Sequence, residues 1–214
     1  MKKHVTFLYL VCALLPAFQA CAQPTDSEID RKVKEFLNSS PGRSYNMNVP
    51  AADGQTLHDI ILEHNYKSAL EIGTSTGVSG IWIAWALSKT GGKLITVEID
   101  ETRHRQAVEN FRKVGLSEYI DARLADAHEL VPQLEGPFDF VFSDADKDWY
   151  RNYFEAVDHK LMVDGCYTSH NVSGRGGYGW SGAYYEFLKQ LPNYETTVDN
   201  RGSGLAISYK KAEK

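Results

Sequence analysis

Ala69-Leu70-Glu71-Ile72-Gly73-Thr74-Ser75-Thr76-Gly77-Val78-Ser79-Gly80 is the stretch on which the fold turns. Its first four residues read as a short buried strand. A glycine turn follows, and a helix carrying Ile81, Trp82, Ile83, Trp85 and Leu87 leaves it. Glycines let a backbone turn tightly and approach a ligand, and the opening of the helix offers free N–H groups to an anion. The glycines fall at 73, 77 and 80, so the G-x-G-x-x-G spacing of a dinucleotide site is not met. The looser turn suits a ligand with an amino-acid carboxylate and a sulfonium, with Glu71 beside its positive end. A turn that serves only strand-to-helix packing is the competing reading.

The pattern repeats downstream. Gly91-Gly92 ends the helix, Leu94 to Ile99 is a second strand, and Glu101 to Val114 is a helix closed by Gly115. Ile120 to Leu124, Phe138 to Phe142 and Gly165 to Ser169 read as further strands, with a helix running through about Val157. Upstream lie a helix from Thr25, with Ile29, Val33, Phe36 and Leu37 on one face, and another from about Asp53 to His64. Tyr194 to Val198 and Leu205 to Tyr209 have no helix between them and should pair antiparallel. The expected fold is α/β: a doubly wound, mostly parallel seven-stranded sheet with an antiparallel C-terminal hairpin, in one domain over residues 23–214. Such sheets bind ligands beyond the carboxyl ends of their strands.

The composition is globular, with 43% hydrophobic and 24% charged residues, and the net charge of −5 argues against a nucleic-acid binder. The N-terminus stands apart. Lys2 and Lys3 precede an apolar run from Val5 to Phe18, followed by Ala20-Cys21-Ala22, the order of a secretory signal peptide over residues 1–22. Export, to a bacterial periplasm or to a membrane if Cys21 is lipidated, is expected, with a cytoplasmic pool if the signal is inefficient. Beyond that segment only Cys166 remains, so no internal disulfide can form. Whether the chain pairs as a homodimer stays open.

Residues just after the strands carry the chemistry. Glu98 in Val97-Glu98-Ile99-Asp100 can accept both ribose hydroxyls of an adenosine, whereas Asp100 better fits a cap for the next helix. Asp126 and Ala127 fall where an adenine would be touched. Together, Glu-Ile-Gly-x-x-x-Gly and Val-Glu-Ile-Asp resemble class I S-adenosylmethionine-dependent methyltransferases, within the catechol and caffeoyl-coenzyme A O-methyltransferase group. The resemblance, over about residues 45–210, implies a Rossmann-like methyltransferase fold. It further implies Met47 and Val49 as part of the cofactor lid, Gly73, Gly77 and Ser79 around the methionine part, and Glu98 on the ribose.

Ser143-Asp144-Ala145-Asp146-Lys147-Asp148-Trp149-Tyr150 is the most specific stretch. It is similar to the Asp-Ala-Asp-Lys-Asp-x-Tyr motif of the metal-dependent members, which implies Asp144 as a metal ligand beside the cofactor and Lys147 as general base. A phenol has a pKa near ~10, so its oxygen is a poor nucleophile at neutral pH until a cation or base assists. Ser169-His170-Asn171 falls where the family has Asp-Asn, its remaining two ligands. A metal set of Asp144, His170 and Asn171 leaves three readings: a softer metal such as iron or zinc, weakly held magnesium or manganese, or no metal and His170 as catalytic base.

The glycine-rich run from Ser173 to Gly182 is expected to border the acceptor pocket, with Tyr178 and Trp180 as stacking surfaces. Around Ser203-Gly204 the acid that holds the second hydroxyl in the catechol enzymes is missing. The expected function is methyl transfer to a hydroxyl of a small aromatic acceptor. The alternatives are an exported, non-catalytic binding protein and, more distantly, a nicotinamide-dependent oxidoreductase.

Overall fold

The computed structural model describes residues 26–39, 48–173 and 180–213. The signal segment, Met47 and Tyr178 lie outside the described residues. Seven strands form one sheet: β1 (Ser68–Ile72), β2 (Lys93–Glu98), β3 (Ile120–Leu124), β4 (Phe138–Ser143), β5 (Leu161–His170), β6 (Tyr194–Asp199) and β7 (Leu205–Lys210). Their order is β3-β2-β1-β4-β5-β7-β6. The first five run parallel, and β7 pairs antiparallel with both β5 and β6. The doubly wound sheet and its antiparallel tail are therefore as expected.

Helices cover the sheet: α1 (Asp26–Ser39), α2 (Ala51–His64), α3 (Val78–Thr90), α4 (Glu101–Val114), α5 (Ala127–Gln133), α6 (Tyr150–Asp158) and α7 (Trp180–Lys189). The apolar face of α3 is not one-sided. Ile81, Ile83, Ala84 and Leu87 are all fully buried, because the helix is enclosed between the sheet and other helices, with α1 and α2 packed on it. Ile29 and Val33 of α1, both fully buried, join Phe111 of α4 in one of the apolar clusters. Asp100 caps α4, accepting from the Arg103 amide at 2.8 Å, and Gly115 ends the helix in the left-handed conformation.

Two element starts differ from expectation by more than one residue. α2 begins at Ala51, directly after Pro50, whose fixed backbone suits the approach to a helix. β5 begins at Leu161, because a register shift against β4 between Phe138 and Phe140, together with left-handed Asp164, absorbs the polar Asp164-Gly165 step. α5 and α7 were not anticipated. The former is only seven residues long with Pro132 inside it, and the latter follows the glycine run directly.

α2 is also tied to the β6–β7 loop. Thr56 donates its hydroxyl to Asp199 at 2.9 Å, Arg201 donates to Thr56 at 2.9 Å, and the Ser203 amide donates to Asp53 at 2.9 Å.

The glycine turn depends on packing from below. Gly77 has φ +88, and a Cβ there would stand 2.6 Å from the Phe111 ring, which also lies under Gly80. Phe111 is thus the floor of the turn. Phe111→Ala should cost about 3–5 kcal/mol of stability, read by urea unfolding. A loss under about 1 kcal/mol would mean the turn is held by its own backbone bonds.

Candidate functional site

The carboxyl ends of β1 to β5 open into a cavity of about 610 Å³. Gly73 and Ser79 line it from the glycine turn and the start of α3, and Glu98 from the end of β2. Asp126 and Ala127 follow β3, Asp144 and Lys147 follow β4, and His170 and Asn171 end β5. Three expected residues lie behind the wall. Val49 is buried in the apolar cluster with Leu57 and Trp82, and Gly77 backs onto Phe111. Glu71 is fully buried beneath the turn. Asn48, next to Val49, faces the cavity and accepts from the Thr76 hydroxyl at 2.9 Å.

Glu98 is fixed by main-chain donors. One oxygen accepts from the Ser75 amide at 2.7 Å, the other from the amides of Ile99 and Asp100 at 3.1 and 3.0 Å. A carboxylate has about four lone-pair directions, so with three taken one remains for a ligand hydroxyl. Asp100 thus caps the helix as expected, while Glu98 lines the cavity. At the third strand, Asp126 caps α5 through the His128 amide at 2.9 Å, which turns Ala127 and His128 toward the cavity.

Glu71 has one oxygen on the Thr96 hydroxyl at 2.5 Å, while its other oxygen is buried with no hydrogen-bond partner. Burial pushes its carboxyl up to about 8; the Ser79 and Thr96 hydroxyls oppose this, and the charges of Asp144 and Glu98 add to it. The unpartnered oxygen lies under Ser79 and the glycine turn, just behind the cavity wall.

The reactive end is a linked set of charges. Lys147 reaches Asp144 at 2.5 Å and the Tyr150 hydroxyl at 2.7 Å, and Tyr150 donates to the His170 carbonyl at 3.1 Å. The ring of His170 lies between two carboxylates: Nδ1 is 3.1 Å from Asp144 and Nε2 is 2.9 Å from Asp53. Burial alone would lower the His170 pKa, yet hydrogen bonds and charges from Asp144 and Asp53 outweigh it and raise the value to about 9. Asn171, the next residue, takes φ +59, a left-handed position that asparagine tolerates.

Asp53 is the residue that sequence reasoning missed. It comes from the first turn of α2, is fully buried, and its carboxylate accepts from the Ser203 amide. Gly202 packs directly onto it, leaving no room for a side chain. The only local sign was an aspartate just after the Asn48-Val49 segment.

These residues, as arranged, do not fit a divalent cation. A metal needs a lone pair on a deprotonated ring nitrogen, and both nitrogens of His170 face carboxylates. Both oxygens of Asp144 are engaged as well, one by Lys147 and one by His170. Among the described residues, no three His, Cys, Asp or Glu side chains are grouped to hold a metal.

The O-methyltransferase family model matches residues 21–177. Over 93 residues the chain is 43% identical to a catechol O-methyltransferase of Niastella koreensis, covering 42% of each chain. Over 158 residues it is 31% identical to caffeoyl-CoA O-methyltransferase 1 of Eucalyptus globulus, covering 72% of this chain and 63% of that one. The match therefore spans less than two thirds of the length of either relative. An O-methyltransferase from Bacillus cereus, solved with S-adenosylhomocysteine, superposes with a TM-score of 0.70 at 25% identity, over 88% of this chain and 92% of that one. With the matched region covering most of the sheet and the cavity residues, this chain belongs to the O-methyltransferase family.

Proposed function

We propose that this protein transfers the methyl group of S-adenosylmethionine to a hydroxyl of a small aromatic acceptor. The observation that carries this reading is one cavity with Glu98 toward one end and Asp144, Lys147 and His170 at the other. The ribose would lie on Glu98, the amino-acid end near Gly73, Ser79 and the orphaned Glu71 oxygen, and the methyl near Asp144. The acceptor oxygen attacks the methyl carbon as the carbon–sulfur bond breaks, its electrons staying on sulfur to leave S-adenosylhomocysteine. Lys147 is the group placed to take the hydroxyl proton. Alignment of oxygen, carbon and sulfur supplies much of the rate. The names of the relatives, catechol and caffeoyl-CoA O-methyltransferase, support an aromatic hydroxyl as acceptor.

Export remains part of this reading, on Lys2-Lys3 and the Val5 to Phe18 run; cell fractionation with blotting tests it, and a wholly cytoplasmic protein would refute it.

Methyl transfer from labelled S-adenosylmethionine to a panel of catechols and phenols tests the activity. Cofactor binding with no turnover on any of them would favour the non-catalytic binding protein instead. Lys147→Ala should lower kcat by about 10²- to 10⁴-fold while leaving the affinity for S-adenosylhomocysteine nearly unchanged. Glu98→Ala should do the reverse, weakening cofactor binding by about tenfold or more through its lost ribose bonds; equal effects of the two variants on binding would contradict the division of the cavity.

Glu71 predicts a pH dependence. Its raised pKa of about 8 means that the free protein carries this carboxyl protonated at neutral pH. A cationic amino group favours the ionised form, so binding below that value must expel a proton. Cofactor affinity should therefore climb about tenfold per pH unit as pH rises toward the raised value, then level off. Calorimetry at pH 7 in buffers of different ionisation heat should show proton release; its absence would separate Glu71 from the cofactor's amino group.

A further inference from the structure

We propose that Ser203 selects the acceptor: its hydroxyl meets an oxygen beside the reacting hydroxyl, so the acceptor class includes phenols whose neighbouring oxygen carries no hydrogen, such as an ortho-methoxyphenol. The inference rests on the methyl-transfer reading above and names the acceptor class within it.

β7 runs antiparallel to β5 with Leu205 opposite His170, so the residues just before Leu205 stand beside the reactive end. The Val172 amide donates to the Gly204 carbonyl at 3.0 Å, which carries the pairing past the strand ends. Gly204 takes φ +91 and packs so closely on the Val172 carbonyl that no side chain fits. Gly202 packs in the same way on the Asp53 carboxylate. Between these two glycines the Ser203 amide donates to Asp53 at 2.9 Å, and Asp53 is fully buried. The loop is braced further out, where the Arg201 amide and the Thr56 hydroxyl donate to Asp199 at 3.0 and 2.9 Å. Of the β6–β7 loop, Ser203 alone among the described residues lines the cavity, beside Asn48, Lys147, His170 and Asn171. Its backbone is thus fastened to the interior, while its hydroxyl has no hydrogen-bond partner among the described residues.

A serine hydroxyl both donates and accepts. Toward a free hydroxyl of the acceptor it accepts, and toward a methoxy oxygen it donates. A carboxylate at this place could only accept, and would leave a methoxy oxygen unpaired against a charge. Ser203 therefore admits either neighbour. An ortho-methoxyphenol keeps one reactive hydroxyl and loses nothing at Ser203. Its hydroxyl oxygen bonds to the methyl carbon as the carbon–sulfur bond breaks. The products are an ortho-dimethoxybenzene and S-adenosylhomocysteine, and the proton passes to Lys147.

The test titrates the full chain, saturated with S-adenosylhomocysteine, with phenol, catechol and ortho-methoxyphenol in a calorimeter. Wild-type protein should bind catechol and ortho-methoxyphenol within about fivefold of each other, and both more tightly than phenol. Ser203→Ala should weaken both by about three- to tenfold, while phenol moves by less than about twofold. Ser203→Thr, which keeps the hydroxyl, should restore the preference. Ser203→Glu should hold catechol and weaken ortho-methoxyphenol by about tenfold or more. A change in packing alone would move all three ligands together, and the affinity for S-adenosylhomocysteine reports whether each variant has kept its cavity. Several outcomes would each overturn the proposal: no binding of any phenol, ortho-methoxyphenol bound by wild type more than about fivefold less tightly than catechol, equal affinities for all three, or a Ser203→Ala variant that keeps the wild-type preference. The expected binding preferences without turnover of labelled S-adenosylmethionine would instead count against the methyl-transfer reading and leave the selection by Ser203 standing.

Discussion

A single main-chain bond sets the architecture of the cavity: the Asp144 amide donates to the Ile72 carbonyl at 2.9 Å. Ile72 ends the central strand, at the point where the strand order reverses between β2 and β4. On the other side, the amides of Gly73 and Thr74 both donate to the Val97 carbonyl, at 3.0 and 3.1 Å. The tips of β4, β1 and β2 are thereby stitched together. The cofactor turn and the acidic motif, far apart in the chain, are held in one register. Gly73 is where the stitching is tightest: at φ +101, any Cβ would come within 3.0 Å of the Asp144–Ala145 backbone. The close approach of two loops, as much as the approach of a ligand, explains that glycine.

Above this frame the site separates two kinds of electrostatics. At the end of β2 a lone carboxylate, Glu98, is stabilised by three main-chain amides and needs no counter-charge. At the reactive end acids and bases alternate: Asp53, His170, Asp144 and Lys147. Tyr150 closes that set without adding a charge, because burial pushes its phenol far above the ordinary value. One end carries a charge held by main-chain hydrogen bonds; the other balances its charges by pairing.

How much of this was legible in the sequence follows from how local each signal is. The strand-turn-helix units are local, so the sheet, its antiparallel tail and the Asp100 cap could be read from hydrophobic runs and capping residues. The gathering of Gly73, Ser79, Glu98, Asp126, Asp144, Lys147, His170 and Asn171 followed from the rule that parallel sheets bind at their carboxyl ends. Two helices escaped: α5 is two turns long and contains a proline, and α7 rises straight out of a glycine-rich run. The contact between Asp53 and His170 spans 117 residues and has no periodicity to announce it. His170 looked anomalous only because its partner was invisible in sequence.

The ties between α2 and the β6–β7 loop have a consequence for assembly. Thr56 meets Asp199 across 143 residues, and Asp53 meets Ser203 across 150. Contacts of such high sequence separation form late, since closing so long a loop is entropically expensive before other structure exists. The parallel core can gather as soon as its strands are made, but the wall behind His170 waits for residues 199–203. A chain lacking residues 199–203 would therefore hold the parallel strands and the glycine turn, yet lack the contacts that back His170, so the two halves of the cavity wall are completed in sequence and not together.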